Sequence, residues 1–319
     1  MFTKLDYVYA VYREKSFTRA AEKLFISQPS LSAAIKTVEK EVGAPLFERL
    51  NNGIALTEVG REYIAAAEKI LRIREDFVNR INDIYDLSVG KITVGGTNYL
   101  SSYVLPKIIN TFSSQHPNIE VTLAEANSHA LGDMMKKEEI DIILDSFDRL
   151  PEEYLGQPLL HEHILLCVPA DRSVNQVLGA CAIHPEDIFN GTIDIASVPT
   201  VSIRQFEEES FVLLKNGNDM YHRAMRVFDT AEMTPKVCFS VDQMNISYAL
   251  ADSGMGLCFA TDTLFRFGRF GSNVILYNVE EERVGRTLYI AHKKNRYCTK
   301  AMSEFMRIAH KVTENKKSE

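Results

Sequence analysis

A chain of 319 residues, 45% hydrophobic and 25% charged, is long enough for two or three domains and apolar enough to bury a real core. Its formal net charge of −7 argues against a protein that coats nucleic acid indiscriminately. No apolar run approaches the roughly 20 residues that cross a bilayer, and the N-terminus lacks the long apolar core of a signal peptide, so a cytoplasmic protein with no membrane partner is expected.

Residues 1–58 read as short helices with tight turns. Leu5, Val8 and Val11/Tyr12 give the first helix one apolar face. Ser16 or Thr18 can cap a second helix through Ala20, Ala21 and Leu24, and Phe25-Ile26-Ser27 makes the turn. Pro29 suits the first turn of a third helix, in which Leu31, Ile35, Val38 and Val42 form one core stripe until Gly43 ends it. Two helices joined by so short a turn form a helix-turn-helix. The third helix then presents Pro29, Ser30, Ala33, Lys36, Thr37 and Lys40 outward, with Gln28 and Ser32 on its flanks. Such a face suits a major groove, where Gln and Ser reach base edges and Lys pairs with phosphate; periodicity alone equally allows a solvated helix face. Charge adds little, because residues 1–60 hold 8 Lys and Arg against 7 Asp and Glu.

From Ser16 to Gly60 the string SFTRAAEKLFISQPSLSAAIKTVEKEVGAPLFERLNNGIALTEVG resembles the LysR-type DNA-binding domain without a gap. Ser16-Phe17-Thr18, Ala20-Ala21, Leu24, Ser27-Gln28-Pro29, Ser32, Ile35, Glu39, Gly43, Leu46-Phe47, Arg49 and Leu56-Thr57 carry the match. The departures are Val38, where Leu is usual, and Asn51-Asn52, in a wing that often holds more Arg or Lys. The resemblance implies a winged helix-turn-helix whose recognition helix brings Ser27, Gln28, Pro29, Ser30, Ser32, Ala33 and Lys36 to double-stranded DNA. Thr18 would meet a phosphate, and Arg49, Asn51 and Asn52 would form the wing, with Gly53 as its turn residue.

A long helix is expected over 59–89. Ile64, Leu71, Val78 and Tyr85 recur every seven residues, and Ile70, Phe77 and Ile84 form a second row. That much apolar surface needs a partner. The resemblance supplies the same helix of a second subunit, with Ile64, Leu71, Phe77, Val78 and Ile84 as the dimerising set, in a homodimer or homotetramer on an inverted-repeat promoter site; packing on the chain's own C-terminal domain is the alternative.

From Lys91 onward short β-runs alternate with helices, which predicts an α/β domain over 90–319. It divides into subdomain I, about 90–163 and 271–319, and subdomain II, about 164–270, with Val274–Tyr277 and Thr287–Ala291 returning to the first. Ser128 is expected to cap one helix, and Ser240 with Gln243 to form a capping box for another. Ligands of such sheets bind at strand C-termini, where helix N-termini offer free N–H groups. Segments 97–102, 127–129 and 215–218 meet that requirement. The arrangement resembles the periplasmic binding proteins, and the LysR-type resemblance implies a co-inducer cleft at Thr97, Ser101, Ser102, Ser128, Lys215, Asn216 and, across it, Thr261. A small anion suits the helix ends and Lys215, whereas Asp145 and His129 at the rim would favour another polarity.

No P-loop, GxGxxG, HExxH or GxSxG occurs, so no enzyme and no cofactor are expected. The cysteines Cys167, Cys181, Cys238, Cys258 and Cys298 form no CxxC pair, and His161 and His163 lack a third ligand, so no metal is expected either. Cys167 and Cys258 read as buried thiols, with a redox role left open only for Cys181. The expectation is a transcription regulator tuned by a small-molecule co-inducer that alters DNA bending and RNA polymerase recruitment. A transport solute-binding protein is the alternative; it leaves 1–88 unexplained.

Overall fold

The computed structural model describes residues 2–50, 53–84, 90–271, 273–280 and 285–315. The chain forms two compact units, Met1–Tyr85 and Asp86–Glu319.

The first unit runs α1 (Leu5–Glu14), α2 (Phe17–Lys23), α3 (Gln28–Val42), β1 (Phe47–Leu50), β2 (Gly53–Leu56) and α4 (Glu58–Ile84). Ser16 caps α2 by accepting the Arg19 amide, and Ser27 caps α3 by accepting the Ser30 amide, with Pro29 in the first turn. Leu31, Ile35 and Val38 of α3 close a core with Leu5, Val8 and Val11 of α1. Ala20 and Ala21 are almost fully buried there, which is how α2 and α3 approach so closely. The hairpin pairs Phe47 with Leu56 and Leu50 with Gly53. Asn51 and Asn52 lie outside the described residues, as does the side chain of Arg49.

Two motif residues tie this unit together from behind. The Glu39 Oε1 accepts the backbone amides of Leu46 at 2.8 Å and Phe47 at 3.4 Å, fixing the hairpin to the end of α3. Gly60 sits where a Cβ would collide with the Leu46 carbonyl, so only glycine lets α4 start against that turn. The 27 residues of α4 span about 40 Å.

The second unit begins with β3 (Gly90–Gly96), a π-helical turn at Leu100–Val104, α5 (Leu105–Gln115), β4 (Ile119–Glu125), α6 (Ser128–Lys136), β5 (Ile142–Ser146) and β6 (Tyr154–Glu162). It continues with β7 (Ile164–Pro169), α7 (Val174–Val177), α8 (Pro185–Asn190), β8 (Ser210–Leu214), α9 (Asp219–Thr230), β9 (Lys236–Val241) and α10 (Met244–Asp252). β10 (Cys258–Thr261), α11 (Asp262–Phe267), β11 (Val274–Asn278), β12 (Arg286–Lys293) and α12 (Lys300–Asn315) complete it.

One sheet has the order β4-β3-β5-β12-β6, and a second has β10-β7-β11. The pair β8-β9 joins the second sheet through a parallel bridge from Phe211 to Leu257. The two sheets therefore share one topology, β9-β8-β10-β7-β11 matching β4-β3-β5-β12-β6. Each completes itself with a strand that follows directly on the other's last: β7 leaves β6 through His163, and β12 follows β11. This corrects one expectation. Val274–Asn278 pairs with Ile164–Pro169 and belongs to the second half, while only β12 returns to the first. Two caps also differ. Asn127, not Ser128, caps α6, and β9 continues through Val241, so Gln243 is the residue before α10 and Ser240 is still strand. Cys167 and Cys258 lie opposite each other on β7 and β10, buried and free.

Candidate functional site

The outer face of α3 is open. Thr18, Ser27, Gln28, Pro29, Ser30, Ala33 and Lys36 are exposed, and Ser32 is half-buried. The side chains are partly ordered by one another: the Ser27 and Ser30 hydroxyls lie 2.7 Å apart, and Gln28 Nε2 donates to Ser32 Oγ at 3.1 Å. This holds the Gln28 amide at the start of the helix while the residue stays exposed. The Phe25 ring in the turn is 96% exposed on a left-handed backbone with φ 55, a conformation that costs a bulky residue energy.

The apolar rows of α4 are divided. Ile64 is buried in the core of its own unit, and Leu71 packs on that core. This corrects the dimerising set, because the N-terminal half of that row is already used intramolecularly. What remains exposed is a stripe of Ile70, Ile73, Phe77 and Val78, with Phe77 63% and Ile73 69% accessible. The side chain of Ile84 lies outside the described residues. Arg74 holds both carboxylate oxygens of Asp6 at 3.0 and 2.9 Å, bracing α4 against α1.

In the second unit, the C-terminal ends of β3, β4, β5, β8 and β9 surround a cleft of about 110 Å³. Thr97, Asn98 and Tyr99 line it from β3's exit, Asn127 and Ser128 from the start of α6, and Asn218 and Asp219 from the start of α9. Of the positions expected there, the lining includes Thr97 and Ser128. Ser101, Ser102, Lys215, Asn216 and Thr261 are not among the lining residues. The reasons are local. Ser101 is buried and its hydroxyl donates to the Gly96 carbonyl at 3.0 Å, while Ser102 faces solvent. Lys215 pairs with Asp242 at 2.7 Å on the rim, Asn216 is exposed, and Thr261 is wholly buried. His129 points to solvent beside Asp133.

Beneath the cleft lies a charged network that spans both halves. Arg286 donates from Nε to Glu162 Oε2 at 2.6 Å, from Nη1 to Asp219 Oδ2 at 3.0 Å, and from Nη2 to the Tyr99 hydroxyl at 2.9 Å. That hydroxyl in turn donates to Glu162 Oε1 at 2.9 Å. Asp219 also accepts from Arg223 Nε at 2.9 Å, and Arg223 reaches Asp148 at 2.8 Å and the Gly285 carbonyl at 3.1 Å. Gly285 has φ 63, and a Cβ there would collide with the Glu162 carbonyl, so the chain beside β12 runs tight against the end of β6. Burial works to raise the Asp219 carboxyl, but Arg286 and Arg223 hold it below the usual carboxylate value. Burial pushes the Tyr99 phenol well up, opposed by Arg286. Asp145, on β5 and only 3% exposed, is pushed by burial up to about 6, against the pull of the Ser128 hydroxyl, the Ser146 amide and Arg286.

Sequence reasoning missed Arg286, Glu162 and Asp219, and it had Asn98 only as part of the segment 97–102. The signal was a charge at the edge of an apolar strand, Glu162 before ILLCVP and Arg286 before TLYIA. His161 and His163 flank Glu162 with rings 5.3 Å apart. Among the described residues no group of three or more His, Cys, Asp or Glu is placed to hold a metal, and no helix is long and apolar enough to cross a membrane.

A winged helix-turn-helix with an open recognition face, followed by a two-lobed α/β unit around a polar cleft, defines a ligand-responsive DNA-binding regulator. The family model for the bacterial regulatory helix-turn-helix protein, lysR family, matches residues 2–61, and that for the LysR substrate binding domain matches residues 86–314. The chain belongs to the LysR family of transcriptional regulators. It is 28% identical over 305 residues to the HTH-type transcriptional regulator YcgK of Bacillus subtilis, covering 96% of this chain and 92% of that protein. It is similar in fold to a full-length OxyR from Pseudomonas aeruginosa, with a TM-score of 0.66, 20% identity and 97% of each chain covered. It is also similar to full-length CbnR complexed with its target DNA, with a TM-score of 0.63, 17% identity, and 98% of this chain and 99% of that one covered. A transport solute-binding protein leaves the helix-turn-helix match without a role.

Proposed function

We propose that this regulator works in the cytoplasm, without catalysis, as a homodimer or homotetramer on an inverted-repeat site in double-stranded DNA. The observation that carries the reading is the face of α3: Ser27, Gln28, Ser30, Ala33 and Lys36 are open while the opposite face is shut in a core. Gln28 and the serines read base edges, Lys36 and Thr18 hold phosphates, and the wing residues Arg49, Asn51 and Asn52 follow the adjacent backbone. Subunits join through the exposed stripe Ile70, Ile73, Phe77 and Val78. A small-molecule effector sits in the cleft against Thr97, Asn98 and Ser128. Its binding shifts the two lobes about the Glu162–Arg286 crossover, because Tyr99, Asp219 and Arg223 couple that crossover to both. The shift alters the spacing of the recognition helices, and with it DNA bend and RNA polymerase recruitment.

The test is footprinting of the purified protein on the DNA upstream of its own gene across a salt series, with and without a bound cleft ligand. Protection of two half-sites one helical turn or more apart, with a bend that changes on ligand binding, is expected. A bound ligand that leaves footprint, affinity and bend unchanged refutes the coupling.

A further inference from the structure

Resting on the reading of this cleft as the effector site, we propose that the effector carries a protonated amine, and that Asp145 holds it together with Thr97 and Asn98. Among the described residues, four carboxylates, Glu125, Asp145, Asp219 and Asp242, line the cleft against a single cation, Arg286. Arg286 is already largely committed: three of its five N–H groups donate to Glu162, Asp219 and Tyr99, and its charge is matched by the carboxylates of Glu162 and Asp219. Lys215 at the rim is held by Asp242. Among the described residues, an anion entering here meets acidic walls and only cations already paired with carboxylates.

The unpartnered oxygens of the lining call for a donor, and the carboxylate oxygen among them for one of positive charge. Thr97 Oγ1, Asn98 Oδ1 and Asp145 Oδ2 are buried, and none has a hydrogen-bond partner. The Asp145 Oδ1 accepts the Ser146 amide at 2.8 Å; Oδ2 has no donor in hydrogen-bonding geometry, the Ser128 hydroxyl and Arg286 lying near enough only to offset part of the burial of a carboxylate that is 3% exposed. An unmatched buried acceptor is costly, and a carboxylate oxygen most of all. A primary ammonium brings three N–H donors, no acceptor and the positive charge that a buried carboxylate oxygen calls for. A neutral hydroxyl offers one donor and leaves the charge on Asp145 uncompensated. The cleft, about 110 Å³, has room for a molecule on the order of ten heavy atoms.

The test uses the full-length protein and calorimetric titration at pH 7.5 with matched pairs of probes: 1,5-diaminopentane with glutarate, L-lysine with adipate, and butylamine with butyrate. At least one amine is expected to bind, its dicarboxylate or carboxylate counterpart not to bind, and Asp145→Asn to weaken the amine at least 30-fold. Thr97→Val, which removes one acceptor without touching a charge, is expected to weaken it several-fold; it also serves if Asp145→Asn fails to fold. Absence of binding by every amine, or amine affinity within threefold of wild type in Asp145→Asn, overturns the proposal. Carboxylate binding that Ser128→Ala and Asn98→Ala weaken overturns the amine and keeps the cleft as the effector site. A bound probe indifferent to every cleft substitution removes the cleft reading as well.

Discussion

With no ligand present, Asp145 is a liability to the fold, and its size follows from its surroundings. The unfolded carboxyl titrates near 3.8, whereas burial pushes the folded one up to about 6. Below 3.8 both states are protonated and the residue contributes nothing. Between the two values the folded state keeps a proton that the unfolded chain has released, so stability falls as pH rises. Above about 6 the full cost applies, about 3 kcal/mol at 1.36 kcal/mol per pH unit. Solvent screening takes little from this figure, because the side chain is 3% exposed. The groups that face it are Arg286, Asp219, Ser128 and the Ser146 amide, with Tyr99 and Tyr154 near enough to feel its charge. Asp219 acts in the opposite sense, since its lowered carboxyl adds stability that disappears as pH falls through its own folded value. Asp145→Asn removes the charge and keeps an oxygen for the Ser146 amide. It is expected to stabilise the unliganded protein by up to about 3 kcal/mol at pH 8, with the advantage shrinking through pH 6 to nothing near pH 4. Urea unfolding of both proteins across that range, followed by the signal of the second unit, checks this. A variant less stable than wild type at pH 8, or a gap that does not change with pH, refutes the burial argument.

Three further outcomes are expected. Lys36→Ala weakens binding to all DNA alike and lowers the salt slope by about 0.9, as loss of one phosphate contact does; sequence-selective loss at unchanged slope in the same binding assay makes Lys36 a base reader. Gly60→Ala forces a methyl group onto the Leu46 carbonyl and destabilises the head by about 2–3 kcal/mol, measured by chemical unfolding; a neutral result shows that the start of α4 yields. Phe77→Glu places a charge in the exposed stripe of α4 and lowers the mass seen in sedimentation, whereas Ile64→Val, inside the head's own core, leaves it unchanged.

The head was legible because its signals are local. The cap at Ser27, the stripe Leu31, Ile35 and Val38, and the small pair Ala20-Ala21 each act within a few residues of their own position. The division of α4 was not legible, since a heptad row looks the same whether it meets its own core, as Ile64 does, or stays open, as Phe77 does. In the second unit the sequence placed the strands but not their neighbours, and alternation along Val274–Asn278 carries no mark of the sheet it joins. The cleft was found at the right loops but only partly at the right side chains. Asn127 and Ser128 are equally good caps on paper, and the π-helical turn at Leu100–Val104 sets Ser101 inward, onto the Gly96 carbonyl. The Arg286 network joins residues 187 positions apart, and no pattern of spacing announces such a pairing.

The exchange of strands between the two sheets also sets the order in which the nascent chain becomes able to fold. The head closes its core with residues up to Leu71 and needs nothing made later. The first sheet is different: β12 lies between β5 and β6, so β6 has no edge to pair with until Arg286–Lys293 has left the ribosome. Most of the second unit is synthesised before either lobe is whole, and α12, which packs on the same sheet, comes later still. Synthesis halted after Leu71 but before that point would leave a closed head with no finished cleft to govern it.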